Sequence, residues 1–114
     1  MTAVNASIFD AYLAAALWTE QFDDLGFTIF DFDKESRDAA REDCAAFVEA
    51  AGPLIEASGL LPAQIGHDFW LTRNGHGAGF WDRGLGDVGD QLSDIACEFP
   101  ERNVYAHLQG LGIE

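Results

Sequence analysis

Four side chains able to ligate a metal or move a proton lie within residues 66–86, GHDFWLTRNGHGAGFWDRGLG. They are His67, Asp68, His76 and Asp82. A metal would need three of them to converge, and neither an HxH nor an HxxxH spacing is present to bring that about on one element. The two carboxylates can equally bind loop N–H groups or pair with Arg73 and Arg83. His76 as a general base needs a carboxylate partner in a cleft. Asn74-Gly75-His76-Gly77 is not a GxGxxG loop, and the chain's single lysine, Lys34, lies far away in an acidic segment. No Ser–His–Asp order and no Cys–His pairing stands out. The stretch therefore yields no catalytic residue, no metal and no cofactor. It keeps open a small enzyme or ligand-binding site formed by His67, Arg73, Asn74, His76 and Asp82.

The same stretch holds six of the twelve glycines, so its backbone must turn tightly or visit positive φ. Trp70 and Trp81 among those glycines imply a packed loop. They read as core or loop anchors first and as a recognition platform second.

Charge is the stronger signal. Twenty Asp and Glu face six Lys and Arg, a net charge of −14. Such a surface repels phosphate, which excludes direct binding to nucleic acid or to an anionic membrane. Solubility explains the charge in one way. A surface that imitates the phosphates of DNA, and so binds a protein that binds nucleic acid, explains it in another. Two acidic groups present themselves for that role. Asp23, Asp24, Asp31 and Asp33 lie in the Phe-rich segment 21–35. Asp87, Asp90, Asp94 and Glu98 recur at helical spacing.

The 114 residues fit one domain, 1–114, with 48% hydrophobic residues to build a core. Cys44 and Cys97 sit on predicted helix faces and read as two reduced, buried thiols. No basic n-region or long apolar run marks a signal peptide or a membrane span, so a cytoplasmic location is expected.

A first helix runs to about Glu20, capped by Asn5 or Ser7, with residues 1–4 frayed and Trp18 closing its apolar face. Residues 21–35 form an ordered loop pinned by phenylalanines, with a short edge strand as the rival. Ser36 caps a second helix whose stripe is Ala40, Cys44, Phe47, Val48, Ala51 and Ile55. Gly52-Pro53 should kink or break it near Ala51, and Gly59 should end it in the left-handed conformation. Pro62–Arg73 reads as helix, and a hairpin about Asn74-Gly75 remains the alternative. Asp87–Phe99 is a fourth helix, stopped by Pro100. Residues 103–108 make a strand that pairs with 79–83, and 109–112 turn. The fold class is α+β: about four helices packed with a small antiparallel sheet.

GHDFWLTRNGHGAGFWDRGLGDVGDQLSD resembles the signature of small acidic proteins encoded by bacteriophages and other mobile elements. AALWTE, REDCAAFVEAA and IEASGL fit the same pattern in the same order, so the resemblance touches most of residues 13–97. Only 66–86 is specific, and the tail VYAHLQGLGIE departs from the pattern. The resemblance implies a phage or prophage setting and no particular activity. Small acidic phage proteins are often inhibitors of host defence, of anti-restriction or anti-CRISPR type, and several present carboxylates where DNA presents phosphates. The expected partner is thus a host nucleic-acid-binding protein or complex.

Overall fold

The computed structural model describes residues 3–114. It contains four helices and a two-stranded sheet, an α+β arrangement: α1 (Ala3–Thr19), α2 (Lys34–Ser58), α3 (Pro62–Arg73), α4 (Asp87–Cys97), β1 (Val104–His107) and β2 (Gly110–Ile113). Three single 3-10 turns, at Asp23–Leu25, Ile29–Asp31 and Phe80–Asp82, shape the connections. No described helix is long and apolar enough to cross a membrane.

The closest pairing is α1 on α3. Small residues make it possible: Ala15, Ala16 and Gly66 are buried between the two axes. A Cβ on Gly66 would sit 2.0 Å from the Ile8 carbonyl oxygen, so only glycine lets the backbones approach this closely. Around that seam Ile8, Tyr12, Leu13 and Leu17 of α1 meet Ile65, Phe69 and Trp70 of α3, all buried. Tyr12 packs on Phe69 (ring centroids 5.4 Å apart) and edge-on to Trp70 (5.3 Å). From the other side Phe47 of α2 stacks on Phe69 at 4.3 Å and on Phe80 at 5.5 Å. Offset-stacked and edge-to-face aromatic pairs of this kind add about 0.5–1.5 kcal/mol each beyond the area they bury.

Several local expectations hold. Residues 62–73 are helix, not hairpin; Pro62 starts the helix and Gln64 Oε1 accepts the Leu61 N–H at 2.9 Å. Gly59 caps α2 at φ 68°. Residues 21–33 are an ordered loop with two 3-10 turns, Phe22 and Phe27 in edge contact and Phe32 buried, while Lys34 and Glu35, read with the loop, already belong to α2.

Others change. Ala3 and Val4 are already helical, so Asn5 and Ser7 lie inside α1 rather than at its start; Met1 and Thr2 lie outside the described residues. Asp33, not Ser36, caps α2: its carboxylate accepts the Ser36 N–H at 2.8 Å. The Ser36 hydroxyl instead accepts the Ile113 N–H and ties β2 to the helix. α2 runs unbroken through Pro53. The carbonyl that Pro53 leaves without a donor belongs to Glu49, and both residues are exposed, so water can satisfy it. α4 stops at Cys97, two residues before the expected end.

The sheet is the largest correction. Residues 79–83 are not a strand; Phe80–Asp82 is a 3-10 turn packed against α4. β1 pairs instead with β2, antiparallel, Val104 opposite Ile113 and His107 opposite Gly110. The segment read as a turn is thus mostly strand. Both of its glycines have close neighbours, and Gly110, set against backbone, is required by its own. A Cβ on Gly112 would strike the Tyr105 ring at 2.4 Å, and one on Gly110, at φ 134°, would strike the Asp31 carbonyl oxygen at 2.3 Å.

Candidate functional site

Residues 66–86 divide into a buried half and an exposed half. α3 carries Asp68, Trp70, Thr72 and Arg73 inward, each at most 5% exposed. Two of these are ions, which must be paired to be tolerated there.

Asp68 is held by Arg83, whose Nη2 donates to Oδ1 at 3.0 Å while Nε donates to Oδ2. This fork closes the glycine loop back onto α3. The bond to Asp68 in turn raises the Arg83 pKa. His67 Nδ1 lies 3.1 Å from the same Asp68 Oδ1, so the carboxylate also orients the imidazole. The His67 ring stacks on Trp18 of α1 at 5.9 Å between centroids.

Arg73 is fully withdrawn from solvent. It donates to Asp43 (2.7 Å), to the Tyr12 hydroxyl (2.9 Å) and to the Pro100 carbonyl (3.0 and 2.7 Å), and its guanidinium lies near the rings of Phe69 and Phe99. These bonds join α1, α2, α3 and the segment that follows α4. Burial pushes the Tyr12 phenol up, beyond the range in which it could ionise. Arg73 is therefore a structural tie between helices. Asn74 is structural too: its amide donates to the Trp70 carbonyl at 2.9 Å and its oxygen accepts the Arg102 N–H at 2.8 Å.

The remaining loop candidates face outward. His76 borders an open depression of about 680 Å³ beside Trp18, Asp23 and Asp24. Asp82 is exposed and lines a shallow pocket with His67 and Arg83. Five residues weighed for one site are thus distributed over three places. Among the described residues, no three His, Cys, Asp or Glu side chains are grouped to hold a metal ion.

The tryptophans sort differently from the expectation. Trp70 is buried and donates to Thr19 Oγ1 at 2.8 Å, while Trp81 is 51% exposed. Trp18, expected to close the α1 face, is 57% exposed. Cys97 is exposed, unlike buried Cys44, and both thiols are free.

The two acidic groups also part company. In the first, Asp31 accepts the Thr28 N–H at 2.7 Å, and Asp33 caps α2 and pairs with His107 Nε2 at 2.9 Å. The α2-cap bonds with Ser36 hold the Asp33 carboxyl below its ordinary pKa. Asp23 and Asp24 remain exposed and without an ion pair among the described residues.

In the second group every carboxylate is exposed. Gly89, Leu92 and Ala96 turn inward on α4, which leaves Asp87, Asp90, Asp94 and Glu98 in one outward row. None has an ion pair among the described residues. All six basic side chains are committed elsewhere. Lys34 and Arg41 hold Asp38, Arg73 and Arg102 hold Asp43, Arg83 holds Asp68, and Arg37 donates to the Ile29 carbonyl.

The comparisons with known proteins add no name to this geometry: no family model, no curated protein and no solved structure matches the chain.

Proposed function

We propose that this chain is an interaction protein encoded by a phage or mobile element, and that it inhibits a host nucleic-acid-binding defence factor of the restriction or CRISPR kind. The α4 carboxylates stand where that factor expects phosphates and occlude its DNA or RNA site.

One observation carries this reading: the four α4 carboxylates are all exposed in one row, and none has an ion pair among the described residues. Asp94 and Glu98 lie at the helix end where the macrodipole is negative, and the last turn carries no basic residue. Asp90 and Asp94, and Asp94 and Glu98, are like charges four residues apart. Asp87 and Asp90 lie in the first turn, where the same macrodipole favours them, so these terms roughly offset and the row is close to neutral for the helix itself. Exposed carboxylates in one row with no cation of the described chain beside them form a surface open to a cationic partner. The row is a sparser array of charge than a DNA strand. From Asp87 to Glu98 the helix rises about 16 Å, so the four charges are about 5.5 Å apart along the axis. A DNA strand carries one charge per ~3.4 Å of axis.

The test separates the two acidic groups. Asp87→Asn, Asp90→Asn, Asp94→Asn and Glu98→Gln, combined, should abolish binding to the target, and Asp23→Asn with Asp24→Asn should weaken it less. Binding by the unaltered chain should fall steeply between 50 and 200 mM salt, the range over which charge-driven recognition is screened. Equal binding by both variants and the unaltered chain would sink the proposal.

A second reading, a ligand-binding or enzymatic site on the 66–86 loop, is favoured by the Asp68-oriented imidazole of His67. With Arg73 and Asn74 occupied structurally, this site reduces to His67, His76 and Asp82. His67→Gln or His76→Ala would then abolish the biological effect while target binding and stability stay intact.

A further inference from the structure

Between α1 and α3 runs an apolar groove of about 460 Å³, floored by the methyl groups of Ala11, Ala14 and Ala63 and walled by Trp18 and His67. On the other side of Trp18 lies the depression bordered by Asp23, Asp24 and His76. Trp18 is a fin between the two, and more than half of it is exposed. An indole so exposed, next to an alanine-lined groove, is an apolar surface that the described chain covers only in part. It is also held in place, because its ring stacks on His67, which Asp68 fixes from behind. A preorganised aromatic anchor loses little entropy on binding.

We infer that this ridge is the docking site for an amphipathic, basic segment of a protein partner, an aliphatic side chain filling the alanine groove and a Lys or Arg crossing Trp18 toward Asp23 and Asp24. The charges choose this occupant. Asp23 and Asp24 carry no ion pair among the described residues, whereas Arg83, which also lines the groove, is already held by Asp68. Nothing on the ridge attracts an anion. A second copy of the chain would bring another −14 to the same place. A cation crossing the indole face gains both the ring quadrupole and the carboxylates. The inference takes from the proposed function only that the partner is basic; it adds an apolar anchor separate from the α4 row.

The probe is a synthetic helical peptide of leucine and lysine at amphipathic spacing, titrated into the full chain by calorimetry, with sedimentation run alongside. The unaltered chain should bind it one to one. Ala14 is exposed, so Ala14→Glu should leave the fold intact while it blocks the groove and makes the chain more negative. Docking in the groove requires that Ala14→Glu weaken binding at least tenfold. Attraction by charge alone requires that it bind as tightly or more tightly, which overturns the inference. Trp18→Ala gives the second reading, again with a tenfold loss expected. Absence of peptide binding, or a dimer of the unaltered chain that Ala14→Glu dissociates, also overturns it. The α4-neutralised variant should keep at least a third of the peptide affinity. If that variant alone loses the peptide, the groove inference fails and the acidic-row reading survives. If only the groove variants lose it, and the α4-neutralised variant still binds the biological target, the acidic-row reading fails and the groove stands.

Discussion

Gly66→Ala offers a test in which the sign of the effect is the result. In an isolated helix this change stabilises, by about 1 kcal/mol, because alanine is the better helix former. In this chain the new Cβ would lie 2.0 Å from the Ile8 oxygen, 2.9 Å from the Ile8 carbonyl carbon and 3.0 Å from the Tyr12 nitrogen. All three are backbone atoms of α1, so no side-chain rotation relieves the clash. Ordinary contact begins about 3.4 Å away, so α1 must retreat by more than 1 Å. That retreat pulls Tyr12 from Arg73 (now 2.9 Å) and Thr19 from the Trp70 indole (now 2.8 Å), and it opens the ring contacts along the seam. Overpacking of this kind costs about 1–3 kcal/mol, and each stretched buried hydrogen bond about 1 kcal/mol more. Set against the propensity gain, the net loss is about 3 kcal/mol. For a domain of this size that lowers Tm by more than about 10 °C. Thermal unfolding followed by far-UV circular dichroism reads it directly. An unchanged or raised Tm would refute the close α1–α3 approach and with it the groove built on that approach.

Two further outcomes follow from the buried and capped groups. Burial pushes the Cys44 thiol up to about 12, whereas Cys97 is exposed; a thiol-reactive disulfide reagent at pH 8 should label Cys97 quickly and Cys44 only as the chain unfolds. Two fast thiols would contradict the packing of α2. The Asp33 carboxyl is held below its ordinary pKa, chiefly by the N–H and hydroxyl of Ser36 and then by His107. Its contribution to stability is therefore fully present above the unfolded value, near 4, and is lost as pH falls through the folded value. The urea midpoint of the unaltered chain should drop below about pH 4, and Asp33→Asn should flatten that part of the profile; superimposable acid limbs would contradict the cap.

The helices were largely legible in the sequence. Apolar residues at helical spacing, Pro62 at a start and Gly59 at an end are local signals, and the α1–α3 packing agrees with them. The second strand was not legible because Gly110-Leu111-Gly112-Ile113 has little β-propensity. Its glycines answer to Tyr105 and Asp31, neighbours distant in sequence or across the hairpin. Ser36 reads as a cap as readily as Asp33 does, since either side chain can accept an N–H from a helix's first turn. At the site, the pairing of Asp68 with Arg83 was among those the spacing allows. That of Arg73 with Asp43, thirty positions away, has no local signal. The exposure of Trp18 was also hidden. Its position continues the apolar stripe of α1, but beside it α3 presents only the small Ala63 and the His67 ring, which leave more than half of the indole exposed. The α4 row was visible as a periodicity; that no basic residue answers it became apparent only once all six had been located.

The account rests most on that row, and the most direct measurement is affinity capture from host lysate. The unaltered chain and the variant carrying Asp87→Asn, Asp90→Asn, Asp94→Asn and Glu98→Gln are used side by side, at 50 and 500 mM salt, with and without duplex DNA or RNA as competitor, and bound proteins are identified by mass spectrometry. The account predicts a nucleic-acid-binding protein on the unaltered chain, released by salt and by the competing nucleic acid, and absent from the variant. The same proteins on both chains, indifferent to the competitor, would contradict it.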